Sequence, residues 1–179
     1  MRGFIAIDLP EDIKDYLYNV EQDIGSGDAK IKWVAKKNLH LTLKFLGNVD
    51  DNLMGEIKDR IREIRYNKFD LSLENFGWFP DVNNARVLWI DIKDKKKLIG
   101  LQQRVDSQLL DIFKDEQKFS PHLTIGRVKM VKDKISFMKK LGSVKIKEMS
   151  FNVNRFVLMS SKLTKDGPRY NVEEEFNLD

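Results

Sequence analysis

The chain has 179 residues, 41% of them hydrophobic, enough to bury a core in one compact unit or in two small lobes sharing a centre. No apolar run approaches the roughly 20 residues that span a bilayer, and Met1-Arg2-Gly3-Phe4 leads straight into a strand pattern rather than a signal peptide, so a soluble, cytoplasmic protein outside the membrane is expected. Cysteine is absent, which excludes disulfides and thiolate metal sites, and 32 Lys and Arg against 28 Asp and Glu give a mildly basic chain that permits RNA without requiring it.

Residues 2–9 read as a strand, and Pro10 then opens an amphipathic helix to about residue 24, with Glu11 and Asp12 placed at the positive end of its dipole. Gly25-Ser26-Gly27 ends that helix. Strands over 31–35 and 39–46 follow, then a helix over 51–64, strands over 69–76 and 86–92, and a helix over 95–113. A strand over 120–128, a short helix over 133–141 and strands over 144–151, 155–160 and 169–176 close the chain. The alternation lacks the repeated crossovers of a parallel barrel. It predicts an α+β fold of two pseudo-symmetric lobes in a single domain over 1–179, each lobe an antiparallel sheet with helices on its outer face, around a central cleft.

The only two histidines fall in one repeated phrase, His40-Leu41-Thr42-Leu43 and His122-Leu123-Thr124-Ile125, 82 positions apart. The chain has three threonines, and two of them stand two places after a histidine. Side chains two apart on a strand share a face, so each phrase offers an imidazole and a hydroxyl together. A single histidine on an apolar strand reads most simply as a hydrogen-bonded core residue. Its duplication with the same threonine offset instead points to a phosphoester site with one proton donor and one proton acceptor.

These phrases, with Arg2-Gly3-Phe4-Ile5-Ala6-Ile7, Trp33-Val34, Lys44-Phe45-Leu46-Gly47, Phe79-Pro80, Arg86-Val87-Leu88-Trp89, Gly126-Arg127-Val128, Ser161-Lys162-Leu163 and Gly167-Pro168-Arg169-Tyr170, resemble the RNA 2′,3′-cyclic phosphodiesterase family, also called 2′-5′ RNA ligases, of the two-histidine phosphoesterase superfamily. The resemblance implies metal-independent hydrolysis of an RNA-terminal 2′,3′-cyclic phosphate to a 2′-phosphate, with 2′-5′ RNA ligation as a side activity when a 5′-hydroxyl attacks in place of water. It implies His40 as proton donor, His122 as proton acceptor, Thr42, Thr124 and Arg127 as phosphate ligands, and Phe45 as a platform for the terminal base. It also implies RNA ends as partners, tRNA halves among them, and a monomer with no cofactor. Phe45 and Arg127 raise a difficulty: each lies five places after a histidine, and an odd offset puts them on the opposite face of a regular strand. Either the strands bend or the two residues are structural, and for Phe45 a core position beside Leu41 and Leu43 stays open.

Trp33, Trp78 and Trp89 lie in apolar strand patterns and read as core or interface residues, while Tyr170 suits either cleft or core. No Walker-type glycine loop occurs, and two histidines with scattered carboxylates make a poor metal site. Two alternatives stand beside RNA-end hydrolysis: a phosphodiesterase acting on a small nucleotide cyclic phosphate, against which a long basic groove would argue, and a noncatalytic RNA or nucleotide binder.

Overall fold

The computed structural model describes residues 1–81, 83–113, 119–165 and 167–179. Nine strands and four helices are described, in the order β1 (Arg2–Asp8), α1 (Glu11–Ile24), β2 (Ala29–Trp33), β3 (His40–Asn48), α2 (Asp51–Arg62), β4 (Phe69–Asp81), β5 (Asn84–Lys93), α3 (Lys96–Leu109), β6 (Leu123–Val131), α4 (Lys134–Ser143), β7 (Ser150–Val153), β8 (Arg155–Thr164) and β9 (Gly167–Asn177). A 3₁₀ turn at Lys36–Asn38 precedes β3. The strands form two antiparallel sheets, β3-β1-β8-β9 and β2-β6-β5-β4-β7, the two lobes that flank the cleft. The lobes are not the two halves of the chain: β2 leaves the N-terminal sheet for the other, and β8 and β9 return.

Helices are exchanged in the same way, with α2 against β9 and α3 against β3, while α1 packs on β6. In α1, Ile13, Leu17, Val20 and Ile24 recur at helical spacing and are buried in the core beneath the sheets. The helix ends where Gly25 adopts φ +62° and its N–H reaches the Glu21 carbonyl. Asp50 and Asp133 cap α2 and α4 by accepting from the backbone N–H of Leu53 and Ser136. Strand β1 is buried on both faces: Ile5 and Ile7 enter the main core, while Phe4 and Ala6 join Val157 and Met159 in a small second cluster beneath Tyr170. This second cluster is the floor of the cleft on the first sheet.

The fold matches the expected class, with different element ends. The β4–β5 hairpin runs on to Asp81 and from Asn84, beyond the expected 69–76 and 86–92. Proline reads as a breaker, but β7 pairs with Phe69 to Ser72, so among the described residues nothing pairs with the outer edge of β4 at Pro80 and no N–H is needed there. Helix α3 stops at Leu109, short of 113, and the strand expected over 144–151 shortens to Ser150–Val153. Strands β8 and β9 lengthen into a hairpin turning at Gly167, which adopts φ +123°. Among the described residues no helix is long and apolar enough to cross a membrane.

Candidate active site

His40 opens β3 and His122 immediately precedes β6, the two strands that touch where the sheets meet. Both imidazoles are tethered identically. Nδ1 of His40 lies 2.7 Å from the Asn38 carbonyl and Nδ1 of His122 lies 2.7 Å from the Ser120 carbonyl. A carbonyl oxygen only accepts, so Nδ1 carries a proton in each ring and Nε2 is left for chemistry. On His40 that nitrogen meets the Thr42 hydroxyl at 2.9 Å. The tether is itself braced, because Asn38 is buried and its Nδ2 donates to the Pro168 carbonyl at 3.0 Å, two residues before Tyr170.

The two rings have different surroundings. His40 packs on Phe4 with ring centroids 4.9 Å apart and meets Tyr170 edge-on at 5.4 Å. Burial pushes its imidazole below the ordinary histidine range, opposed by the Asn38 hydrogen bond and the charge of Asp8 and reinforced by Lys14. His122 is held edge-on by Phe79 at 5.3 Å and Trp89 at 6.4 Å, and those two rings stack on each other at 4.9 Å. Gly77 makes room for this wall, since a Cβ there would collide with the Trp89 ring. Trp89 therefore belongs to the cleft, while Trp33 and Trp78 pack at the edge of the main core as their apolar patterns predict.

The odd offset is resolved by two matched bulges. In β3, Ala6 faces Thr42 but Ile5 faces Lys44, leaving Leu43 as an extra residue. In β6, Trp89 faces Thr124 but Leu88 faces Gly126, leaving Ile125 as the extra residue. Each bulge falls one place after the threonine and reverses the facing of the residues beyond it. Phe45 thus lies opposite Phe4, 72% exposed and 6.3 Å from its ring, on the His40 face. It is not a core residue. Arg127 lies opposite Val87 and Lys32, on the face of Thr124 and Trp89, and is exposed. Burial raises the Tyr170 phenol and the Arg127 charge opposes it, so a cation of the second sheet bears on a residue packed against His40 of the first.

The structure thus gathers His40, Thr42 and Phe45 on one wall and His122, Thr124 and Arg127 on the other. Phe4, Asn38, Phe79 and Ser120 also shape the site and were not singled out for it from sequence; the one signal was position, two residues before each histidine, for Asn38 and Ser120. Among the described residues no three His, Asp or Glu side chains group as metal ligands would.

The profile of the LigT-like phosphoesterase family matches the chain twice, over residues 7–89 and 90–170, one histidine phrase in each. The RNA 2′,3′-cyclic phosphodiesterase of Methanothermobacter thermautotrophicus is 32% identical over 182 aligned positions, covering 99% of both chains. That of Methanocaldococcus jannaschii is 35% identical over 178 positions, covering 98% of this chain and 100% of its own. Escherichia coli LigT complexed with 3′-AMP superimposes with a TM-score of 0.79 at 27% identity, covering 99% of this chain and 97% of the other. The chain belongs to the LigT-like phosphoesterase family, the RNA 2′,3′-cyclic phosphodiesterases among the two-histidine phosphoesterases.

Proposed function

We propose that this protein hydrolyses the 2′,3′-cyclic phosphate at an RNA terminus to a 2′-phosphate. The observation that carries the reading is the pair of identically tethered imidazoles, each on the face of a threonine, on strands that meet at the cleft. Water attacks phosphorus in line with the departing 3′-oxygen, so base and acid must stand on opposite sides. His122 Nε2 takes the water proton as the new P–O bond forms. His40, protonated at Nε2, gives its proton to the 3′-oxygen as the P–O3′ bond breaks. Thr42, Thr124 and the planar fork of Arg127 hold the nonbridging oxygens, whose charge grows in the transition state. Phe45 offers its exposed face to the terminal base.

Every step is a proton transfer or a hydrogen bond supplied by these side chains, so the reaction needs no metal ion. The same attack by a 5′-hydroxyl in place of water, with P–O5′ forming as P–O3′ breaks, joins RNA ends through a 2′-5′ bond. In dilute RNA and bulk water, hydrolysis dominates.

Charge distribution favours RNA over a small cyclic nucleotide. Strands β2 and β6 together with residues 160–172 carry seven cations, Lys30, Lys32, Arg127, Lys129, Lys162, Lys165 and Arg169, against the one carboxylate Asp166. The whole chain has an excess of only four, so the rest of it is net acidic. Lys30 and Lys32 extend the Arg127 face of the sheet along its edge, a path for the nucleotides upstream of the cyclic end.

The test is to incubate the protein with an oligoribonucleotide ending in 2′,3′-cyclic phosphate, EDTA present, and to identify the product by ³¹P NMR. A 2′-phosphate is expected. A 3′-phosphate, an unchanged ring, or activity that returns only with a divalent ion contradicts the proposal.

A further inference from the structure

In a regular strand, Lys44 would share the His40–Thr42 face and Phe45 would lie in the core with Leu41 and Leu43. The bulge at Leu43 exchanges them. Lys44 is turned inward to α3, where its Nζ meets Asp106 Oδ1 at 2.6 Å, with the side chains only 11% and 17% exposed. The second Asp106 oxygen accepts from Nε2 of Gln102, itself buried one helical turn earlier. A buried ammonium is tolerated only where a carboxylate meets it and the remaining lone pairs are satisfied, and both conditions hold here. The matching position after the bulge in β6 is Gly126, whose Cβ would lie 2.7 Å from the Trp33 ring, so that bulge is secured by close packing. The two walls hold the same backbone feature by different means.

We infer that the Lys44–Asp106–Gln102 cluster is a positioning device that selects which side chain of β3 faces the cleft, presenting Phe45 to the terminal base and withholding Lys44. Loss of the Asp106 charge leaves Lys44 buried without a counter-ion. The strand then regains regular pairing by turning Lys44 to solvent in the cleft and Phe45 inward. The consequence for substrate rests on the base-stacking role proposed above, whereas the consequence for geometry does not.

Because the chain has no cysteine, F45C supplies a single thiol whose reactivity reports its facing. In the F45C protein the thiol should react rapidly with Ellman's reagent under native conditions. With D106N added, or D106A if D106N does not fold, the rate should fall at least about tenfold, the contrast of an exposed with a buried thiol, whereas with K44M and D106L added together it should stay at the F45C rate. Equal rates with and without the single Asp106 replacement in folded proteins overturn the inference.

Kinetics supply the second arm. D106N leaves the buried ammonium without its counter-ion, so KM for adenosine 2′,3′-cyclic phosphate should rise about tenfold through lost stacking, whereas K44M with D106L, which removes both charges and lets position 44 stay inward, should keep the parent KM. In D106N, KM for a methyl riboside 2,3-cyclic phosphate should stay at the parent value, and adding F45A should raise neither further. Multiplicative effects of F45A and D106N contradict the positioning role. If F45A alone leaves KM unchanged for both substrates, the stacking role fails while the thiol measurement still decides the facing.

Discussion

Phe45 and Arg127 stand at equivalent places on opposite walls, each five residues beyond a histidine and each brought onto that histidine's face by a one-residue bulge just after the threonine. One is an exposed ring and the other a guanidinium, so a symmetric scaffold offers an asymmetric site, base on one side and phosphate on the other. F45A should raise KM for a nucleoside cyclic phosphate about tenfold, within the usual ~1–3 kcal/mol of a stacked base, and leave a baseless cyclic phosphate unaffected. R127A should lower kcat/KM about 10²-fold on both, and R127K should restore only part of it, because an ammonium cannot match the planar fork. Steady-state kinetics on the two substrates would reveal the opposite pattern if the assignments were exchanged.

The basic edge carries its own expectation. For single strands, each phosphate contact contributes about −0.7 to the slope of log affinity against log salt. K30A with K32A should therefore weaken binding of an RNA several nucleotides long and flatten that slope by roughly 1.4, while KM for a cyclic mononucleotide stays unchanged. An unaltered slope would remove Lys30 and Lys32 from the RNA path.

The pH dependence arises from the burial of His40. Its imidazole lies below the ordinary range in the free protein, and as the acid it must be protonated to act. The alkaline limb of kcat/KM, which reports the free enzyme, should fall below pH ~6.5, the unperturbed histidine value. Bound phosphate favours the imidazolium, so the same limb in kcat should move to higher pH. H122A retains the acid and should keep that limb in its residual rate. Coincident limbs in kcat and kcat/KM would show that substrate charge does not act on His40.

Much of the site is written in the chain as a pattern of two. His40 with Thr42 and His122 with Thr124 are legible because residue identity and a fixed offset mark them, and the β–α alternation gives the two lobes. The facing of Phe45 and Arg127 is not legible, since a bulge arises from pairing with β1 and β5, strands distant in sequence. For Trp89 the apolar surroundings leave core and interface equally open until Gly77 on the neighbouring strand is seen to open the space for it on the cleft side. Pro80 hid the length of β4 because only the sheet order shows that, among the described residues, nothing pairs with its outer edge there.

Glu21 gives a stability test remote from the cleft. It is 2% exposed, its Oε1 has no hydrogen-bond partner among the described residues, and burial pushes its carboxyl up to about 8. The folded protein thus holds a proton that the unfolded chain releases above the ordinary carboxylate range. The resulting stability is complete below that range and is lost as pH climbs through about 8. E21Q, which mimics the protonated form, should melt several degrees above the parent at pH 9 and close to it at pH 5, with each kcal/mol worth ~2–4 °C in a chain of this size. Parallel melting curves across that interval would contradict a buried neutral carboxyl.

If His40 and His122 work as acid and base in one transition state, the decisive measurement is single-turnover cleavage of an RNA 2′,3′-cyclic phosphate by H40A, H122A and the double variant. Each single variant, folded by circular dichroism, should lose ~10² to 10⁴-fold in the chemical step, and the double variant should be far less than multiplicatively worse. Near-parent cleavage by either folded single variant would contradict the pairing of the two histidines in catalysis.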